Sequence, residues 1–233
     1  MQGLAGSSDR RFRDGTVNGE GTSDLNRSGW EAIGASVVSP YLGYQHYRDG
    51  LMALIDALPG GGRVLDLGCG PGTIVAKLLA DRGFEVVGVD FAEEMIAAAR
   101  QAVPGATFVC QSMTEISYQA EFDAVVASYS MLCLDPASFG VVAAKIAKAL
   151  RPGGRCFVAL NEAADGEDAD AAAMVNIAGQ DMYSRAYTEE EVIRLFADMN
   201  LLSVGRALVR TEMFGDERSI VFVFGKAGDS VTA

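Results

Sequence analysis

The sequence predicts a doubly wound α/β fold: a mostly parallel seven-stranded sheet with helices on both faces and an antiparallel pair of strands at its C-terminal end. Three observations carry this. Short apolar runs alternate with amphipathic stretches from residue 63 onward. The runs are continuous Val, Leu, Phe and Ala rather than alternating with polar residues, as expected of strands covered on both faces. The last two β runs flank Gly215-Asp216-Glu217, a turn signal.

Residues 1–28 are rich in Gly and Ser and poor in apolar side chains, and are expected to be a disordered tail. Residues 29–59 are expected to form a helical lid segment, with a helix over about 40–58 that starts at Pro40 and ends at Pro59-Gly60-Gly61-Gly62. Residues 60–233 are expected to be the ligand-binding core, with a lid insertion at about 161–187.

Within the core, Arg63–Leu67 reads as the first strand and Thr73–Arg82 as a helix. Phe84–Val89 and Ala92–Ala102 repeat the pattern. Thr107–Cys110 and Phe122–Ala127 are strands three and four. Phe139, Val142, Ala143, Ile146 and Leu150 follow the 3.6-residue period of a helix. Arg151-Pro152-Gly153-Gly154 stops it before a fifth strand over Arg155–Leu160. Thr188 caps a further helix, whose positive end carries Glu189–Glu191. Strands near 202–210 and 218–225 complete the sheet.

Composition narrows the partners. The 233 residues carry a net charge of −12, with 49% hydrophobic and 21% charged residues. An acidic chain lacks the basic face that nucleic acid or an anionic membrane requires, so neither is expected as a partner. No apolar run spans a bilayer and no secretory signal opens the chain, which points to the cytoplasm. Four cysteines without a Cys-x-x-Cys pair, and a single histidine, predict free thiols and no metal. Cys110 and Cys156 lie in apolar runs and are expected to be buried packing residues.

The chemistry concentrates in Val64–Thr73, VLDLGCGPGT. Gly68, Gly70 and Gly72 follow a strand and open a helix, where missing Cβ atoms let the backbone turn tightly and approach a ligand. Asp90 ends the second strand, where an acid can accept from ribose hydroxyls. Asp66 precedes the glycines. Beside a pyrophosphate it would repel; beside a ligand ammonium it would attract. The segment therefore favours a nucleoside with a cationic amino-acid tail over a nicotinamide dinucleotide.

These residues resemble the class I S-adenosylmethionine-dependent methyltransferases, in their small-molecule branch. Asp66-Leu67-Gly68-Cys69-Gly70-Pro71-Gly72 is similar to that family's first motif and Val86–Asp90 to its second. Asp90–Arg100, Phe122–Ser128 and Leu150–Gly154 resemble later segments. The resemblance implies S-adenosylmethionine as cofactor, with Asp90 on the ribose and Phe91 and Met95 toward the adenine. The family often has an aspartate after the third strand; here Ser112 stands at that place, followed by Met113. Ser128 and Tyr129, after the fourth strand, border the methyl donor.

The implied function is methyl transfer to an O, N or C nucleophile of a small-molecule acceptor, by a monomer or homodimer. Two alternatives stand beside it: a cofactor-assisted rearrangement without methylation, and a non-catalytic binding module. Tyr129 and His46 are the catalytic candidates, His46 because its ordinary pKa lies near neutrality. Tyr41, Tyr44 and Tyr47 accompany it. Residues 161–191 hold nine acids against Arg185, and are read as an acidic cover that attracts an amine, or as a solvated face. Tyr183 and Tyr187 are expected to touch the acceptor.

Overall fold

The computed structural model describes residues 19–35, 43–164, 166, 168–211 and 215–228. Helices α1 (Gly19–Ile33) and α2 (Gln45–Asp56) precede the first strand. The alternating core follows as β1 (Arg63–Leu67), α3 (Val75–Asp81), β2 (Glu85–Asp90), α4 (Glu93–Ala102), β3 (Thr107–Cys110) and β4 (Phe122–Ser128). A 3-10 turn at Met131–Cys133 leads into α5 (Pro136–Ala149) and β5 (Leu150–Asn161). A hairpin of β6 (Met174–Ile177) and β7 (Gln180–Tyr183) comes next, then α6 (Glu189–Leu195), β8 (Asn200–Thr211) and β9 (Gly215–Gly225).

The main sheet has the order β3-β2-β1-β4-β5-β9-β8. Strands β1 to β5 are parallel; β9 runs antiparallel to β5, and β8 antiparallel to β9. Strand order reverses between β1 and β4, so a crevice opens at their carboxyl ends. Side chains of β1 alternate between two cores. Val64 points to a layer with Leu51 and Leu54 of α2, Leu79 of α3 and Ile96 of α4. Leu65 and Leu67 point to the opposite layer, with Phe139, Val142 and Ile146 of α5, Val192 of α6 and Phe196 at its end. Each buried Leu, Ile or Phe contributes roughly 1.5–3 kcal/mol, so these two layers supply the driving force for the sheet.

Helix ends follow the local chemistry. Asp135 caps α5 by accepting from the backbone N–H of Ala137 and Ser138 at 3.0 Å each, with Pro136 in the first turn. Thr188 and Glu191 form a reciprocal capping box on α6. The Arg151–Gly154 turn ends α5 but lies inside β5: pairing slips between Phe122↔Leu150 and Ala124↔Arg155, a bulge that places Gly153 at φ +76°.

Three expectations are corrected, and the 161–187 insertion gains its local structure. Gly19–Ser28 belong to α1, and residues 1–18 lie outside the described residues. Helix α2 is a core helix: Tyr47, Leu51 and Leu54 are wholly buried against the sheet. The 161–187 insertion contains a β hairpin, and Glu162 bridges Tyr187. Cys110 is exposed, since β3 is an edge strand; Cys156 is buried as expected, and all four thiols are free. No helix among the described residues is long and apolar enough to cross a membrane.

Candidate active site

The crevice at the switch point widens into a cavity of about 1220 Å³. Pockets of roughly 300–1,000 Å³ hold one small ligand, so this one has room for a cofactor and an acceptor together. Asp66, Gly68, Gly70 and Asp90 line it. So do Phe91, Met95, Ser112 and Met113, and, on the β4 side, Ser128 and Tyr129. Gly72 and His46 do not.

The three glycines differ in what they do. A Cβ on Gly68, at φ +70°, would lie 2.3 Å from Cβ of Ser130. A Cβ on Gly72, at φ +71°, would lie 3.1 Å from Cβ of Ala99, so this glycine lets α4 pack against the loop rather than lining the cavity. Gly70, at φ +53°, has nothing within 4 Å of that position. It faces open space.

Two buried carboxyls flank the loop. Asp90 is 8% exposed; its Oδ2 accepts from Gly70 N–H at 2.9 Å and its Oδ1 from Ala92 N–H at 3.0 Å. Burial nonetheless raises its pKa above the carboxylate norm. Asp66 is 1% exposed and its Oδ2 has no hydrogen-bond partner. Burial, then the neighbouring Asp90 charge, pushes its pKa up to about 7. A buried acceptor without a donor is costly, by about 1–3 kcal/mol, and a cation arriving beside Asp66 would relieve it. Asp24, Glu115, Glu162 and Glu217 add to the acidic lining, against Arg27 and Arg218.

The third-strand segment is less open than expected. The Ser112 hydroxyl is engaged with Thr114, at 2.8 Å from its Oγ1 and 3.2 Å from its backbone N–H. Met113 packs near Gly68.

Tyr129 stands at φ +51°, uncommon for a residue with a Cβ. Its N–H donates to Ala159 carbonyl at 2.9 Å, its ring stacks on Tyr47 with centroids 5.9 Å apart, and its hydroxyl meets that of Ser219. Tyr47 Oη lies 2.7 Å from Ser128 Oγ. His46 Nε2 lies 2.8 Å from Ser219 Oγ, outside the cavity. Tyr183 and Tyr187 do not line the cavity either: Tyr187 packs its ring 4.6 Å from Phe139. Tyr41 is outside the described residues.

Several wall residues were not foreseen. Thr22, Asn26, Arg27 and Trp30 come from α1, Asn161 from β5 and Glu217 from β9. Arg27 sits over the Phe91 ring, 5.7 Å from its centroid. Glu217 accepts from Asn161 Nδ2 at 2.9 Å. The only sequence signal for the α1 wall was the lone Trp30; the β9 residues carry none, because their placement depends on β9 pairing with β5.

Residues 64–154 match a methyltransferase domain family. Over these residues the chain is similar to a methyltransferase domain. It is 39% identical over 110 residues to a demethylmenaquinone methyltransferase of Beutenbergia cavernae, covering 46% of this chain and 45% of that protein. It is 36% identical over 119 residues to a ubiquinone biosynthesis O-methyltransferase of Idiomarina loihiensis, covering 48% and 44%. The chain thus spans less than half the length of these relatives. Among solved structures, the Burkholderia thailandensis 1,6-didemethyltoxoflavin N1-methyltransferase superposes with a TM-score of 0.72 at 22% identity, covering 91% of this chain and 92% of that one. That likeness is one of fold.

Proposed function

We propose that the chain binds S-adenosylmethionine and transfers its methyl group to a small-molecule acceptor. The observation that carries this reading is Asp66: a buried carboxyl with an unpartnered oxygen, beside a glycine loop and Asp90, in an acidic cavity. Asp66 faces the cofactor ammonium, directly or through water. Gly68 and Gly70 let the backbone approach the amino-acid portion. Each carboxylate oxygen has two lone-pair sites, so Asp90 can hold Gly70 and Ala92 and still accept the ribose hydroxyls. Phe91, Met95 and Met113 would flank the adenine, and Ser112, though shared with Thr114, keeps one acceptor site that would meet the adenine edge. Gly72 serves packing only.

The bound cofactor would supply an activated methyl on a cationic sulfur. The chain's own work is to align the acceptor and keep water out. Ser128 and Tyr129 border the acceptor side. The β6–β7 hairpin, through Val175 and Ile177, and α1, through Thr22 and Trp30, supply the cover. The relatives named for demethylmenaquinone methylation and ubiquinone biosynthesis support a small aromatic or quinoid acceptor.

The test is calorimetric titration with S-adenosylhomocysteine and with NAD, followed by incubation with S-adenosylmethionine and panels of phenols, amines and thiols, with product masses read. Binding of NAD but not S-adenosylhomocysteine would refute the cofactor. Acceptor conversion without a methyl gain would select the rearrangement.

A further inference from the structure

We propose that Tyr129, Ser219 and His46 form a proton relay leading from the acceptor pocket to the surface, and that the acceptor is therefore a small molecule with an acidic hydroxyl, a phenol or an enol. This rests on the methyl-transfer reading above and extends it to the acceptor.

The geometry is continuous. Tyr129 lines the cavity at the carboxyl end of β4, and its hydroxyl turns to Ser219 on β9. Ser219 is 1% exposed, and its Oγ also lies 2.8 Å from His46 Nε2 on α2. A hydroxyl has one proton. With Nε2 as acceptor, Ser219 donates to His46 and Tyr129 donates to Ser219, so every proton points outward. His46 is half-buried and off the cavity, so it reaches the acceptor only through the other two. Tyr129 is held at φ +51°, a strained backbone state for a residue with a Cβ, of the kind that collects at functional sites.

Proton balance closes. An acceptor X–H that gains a methyl cation equivalent must release one proton. It passes to Tyr129 Oη as the Tyr129 proton moves to Ser219 Oγ and the Ser219 proton to His46 Nε2. The imidazolium then discharges to solvent.

Burial lowers the His46 pKa below its usual value, opposed by Asp49 on the same helix. From β9, Glu217 faces Tyr129, and Tyr44 approaches it from the start of α2; both act to raise its pKa, behind the larger effect of burial. An imidazole at the end of the relay takes protons from phenols and enols, not from alkyl alcohols.

His46 is the only histidine, so its ring nitrogens give unambiguous magnetic resonance signals in the full chain. The expected tautomer carries its proton on Nδ1, with or without S-adenosylhomocysteine. The second measurement uses 4-nitrophenol as probe on protein saturated with S-adenosylhomocysteine, reading phenolate absorbance against pH. The bound phenol should ionise about one pH unit lower in the wild type than in Ser219→Ala, and Ser219→Thr should restore the wild-type value. Affinity for S-adenosylhomocysteine should be the same in all three. A proton on Nε2 in neutral His46 overturns the relay. So does the absence of an ionisation difference, whether the phenol ionises alike in both proteins or is not held. Failure of S-adenosylhomocysteine to bind instead refutes the cofactor, and leaves the tautomer to judge the relay alone.

Discussion

The backbone N–H of Gly70 donates to Oδ2 of Asp90 across 2.9 Å, joining the loop after β1 to the end of β2. Asp90 therefore has two tasks: it fixes the loop that approaches the cofactor and accepts from the ribose. Asp90→Ala removes both, and should weaken S-adenosylhomocysteine binding by about 2–4 kcal/mol, the range of charge-assisted hydrogen bonds lost in a buried site. Asp90→Asn keeps an oxygen for Gly70 but loses the charge, and should fall between. Calorimetry reads the series; wild-type affinity in Asp90→Ala would remove this residue from the site.

Gly70 and Gly72 should separate binding from stability. Asn tolerates the left-handed backbone, so Gly70→Asn keeps the fold and projects an amide into the cavity. It should bind S-adenosylhomocysteine at least about tenfold more weakly, with an unchanged thermal midpoint. Gly72→Val meets Ala99 and a φ of +71°, and should lose about 1–3 kcal/mol of stability. If Gly70→Asn binds normally, the loop does not cradle the ligand.

The contrast shows what the sequence made legible. The glycine spacing and Asp90 are local, set by one strand–loop–helix unit, and their neighbourhood follows from the alternating pattern alone. The same pattern could not separate Gly72 from Gly70, because the difference lies in Ala99 on α4. His46 and Tyr187 illustrate the wider limit. Both belong to polar or aromatic stretches, but α2 packs His46 on β9 and α5 takes the Tyr187 ring, leaving neither on the cavity. Asn26 sits in a Gly- and Ser-rich stretch whose composition hides a helix stabilised by tertiary contacts rather than by its own propensity.

Asp66 sets a pH dependence. Its pKa is about 7 in the fold, against about 4 for an unfolded aspartate. Between those values the folded chain holds a proton the unfolded chain has lost, so this group makes the ligand-free protein less stable as pH rises from about 4 to about 7. A ligand ammonium pulls the pKa back down. Binding of S-adenosylhomocysteine near pH 6 should therefore release protons, and near pH 8 the release should vanish. Calorimetry in buffers of different ionisation enthalpy measures it. Asp66→Asn should abolish the effect; release persisting in that variant would assign it to Asp90.

The last prediction concerns the cover. The Asn26 side chain pairs with both backbone groups of Tyr183: Nδ2 donates to its carbonyl at 2.8 Å, and Oδ1 accepts its N–H at 2.8 Å. Nδ2 also reaches the Cys133 carbonyl at 3.2 Å. One side chain, 1% exposed, thus stitches α1 to strand β7 and to the turn after β4, while Arg27 holds the helix to Phe91. Loss of the amide strands three backbone groups, at about 1–3 kcal/mol each where they stay buried. That energy is local to the cover, because the two cores of the sheet do not include α1. Asn26→Ala should therefore speed amide exchange in residues 21–33 and 174–183 together, leave β1, β4 and β5 protected, and hasten S-adenosylhomocysteine release. Trp30, the only tryptophan, lines the cavity and reports that release by fluorescence. Exchange rising in α1 alone would mean that helix and hairpin open separately. An unchanged release rate would mean that α1 packs on the cavity without closing it.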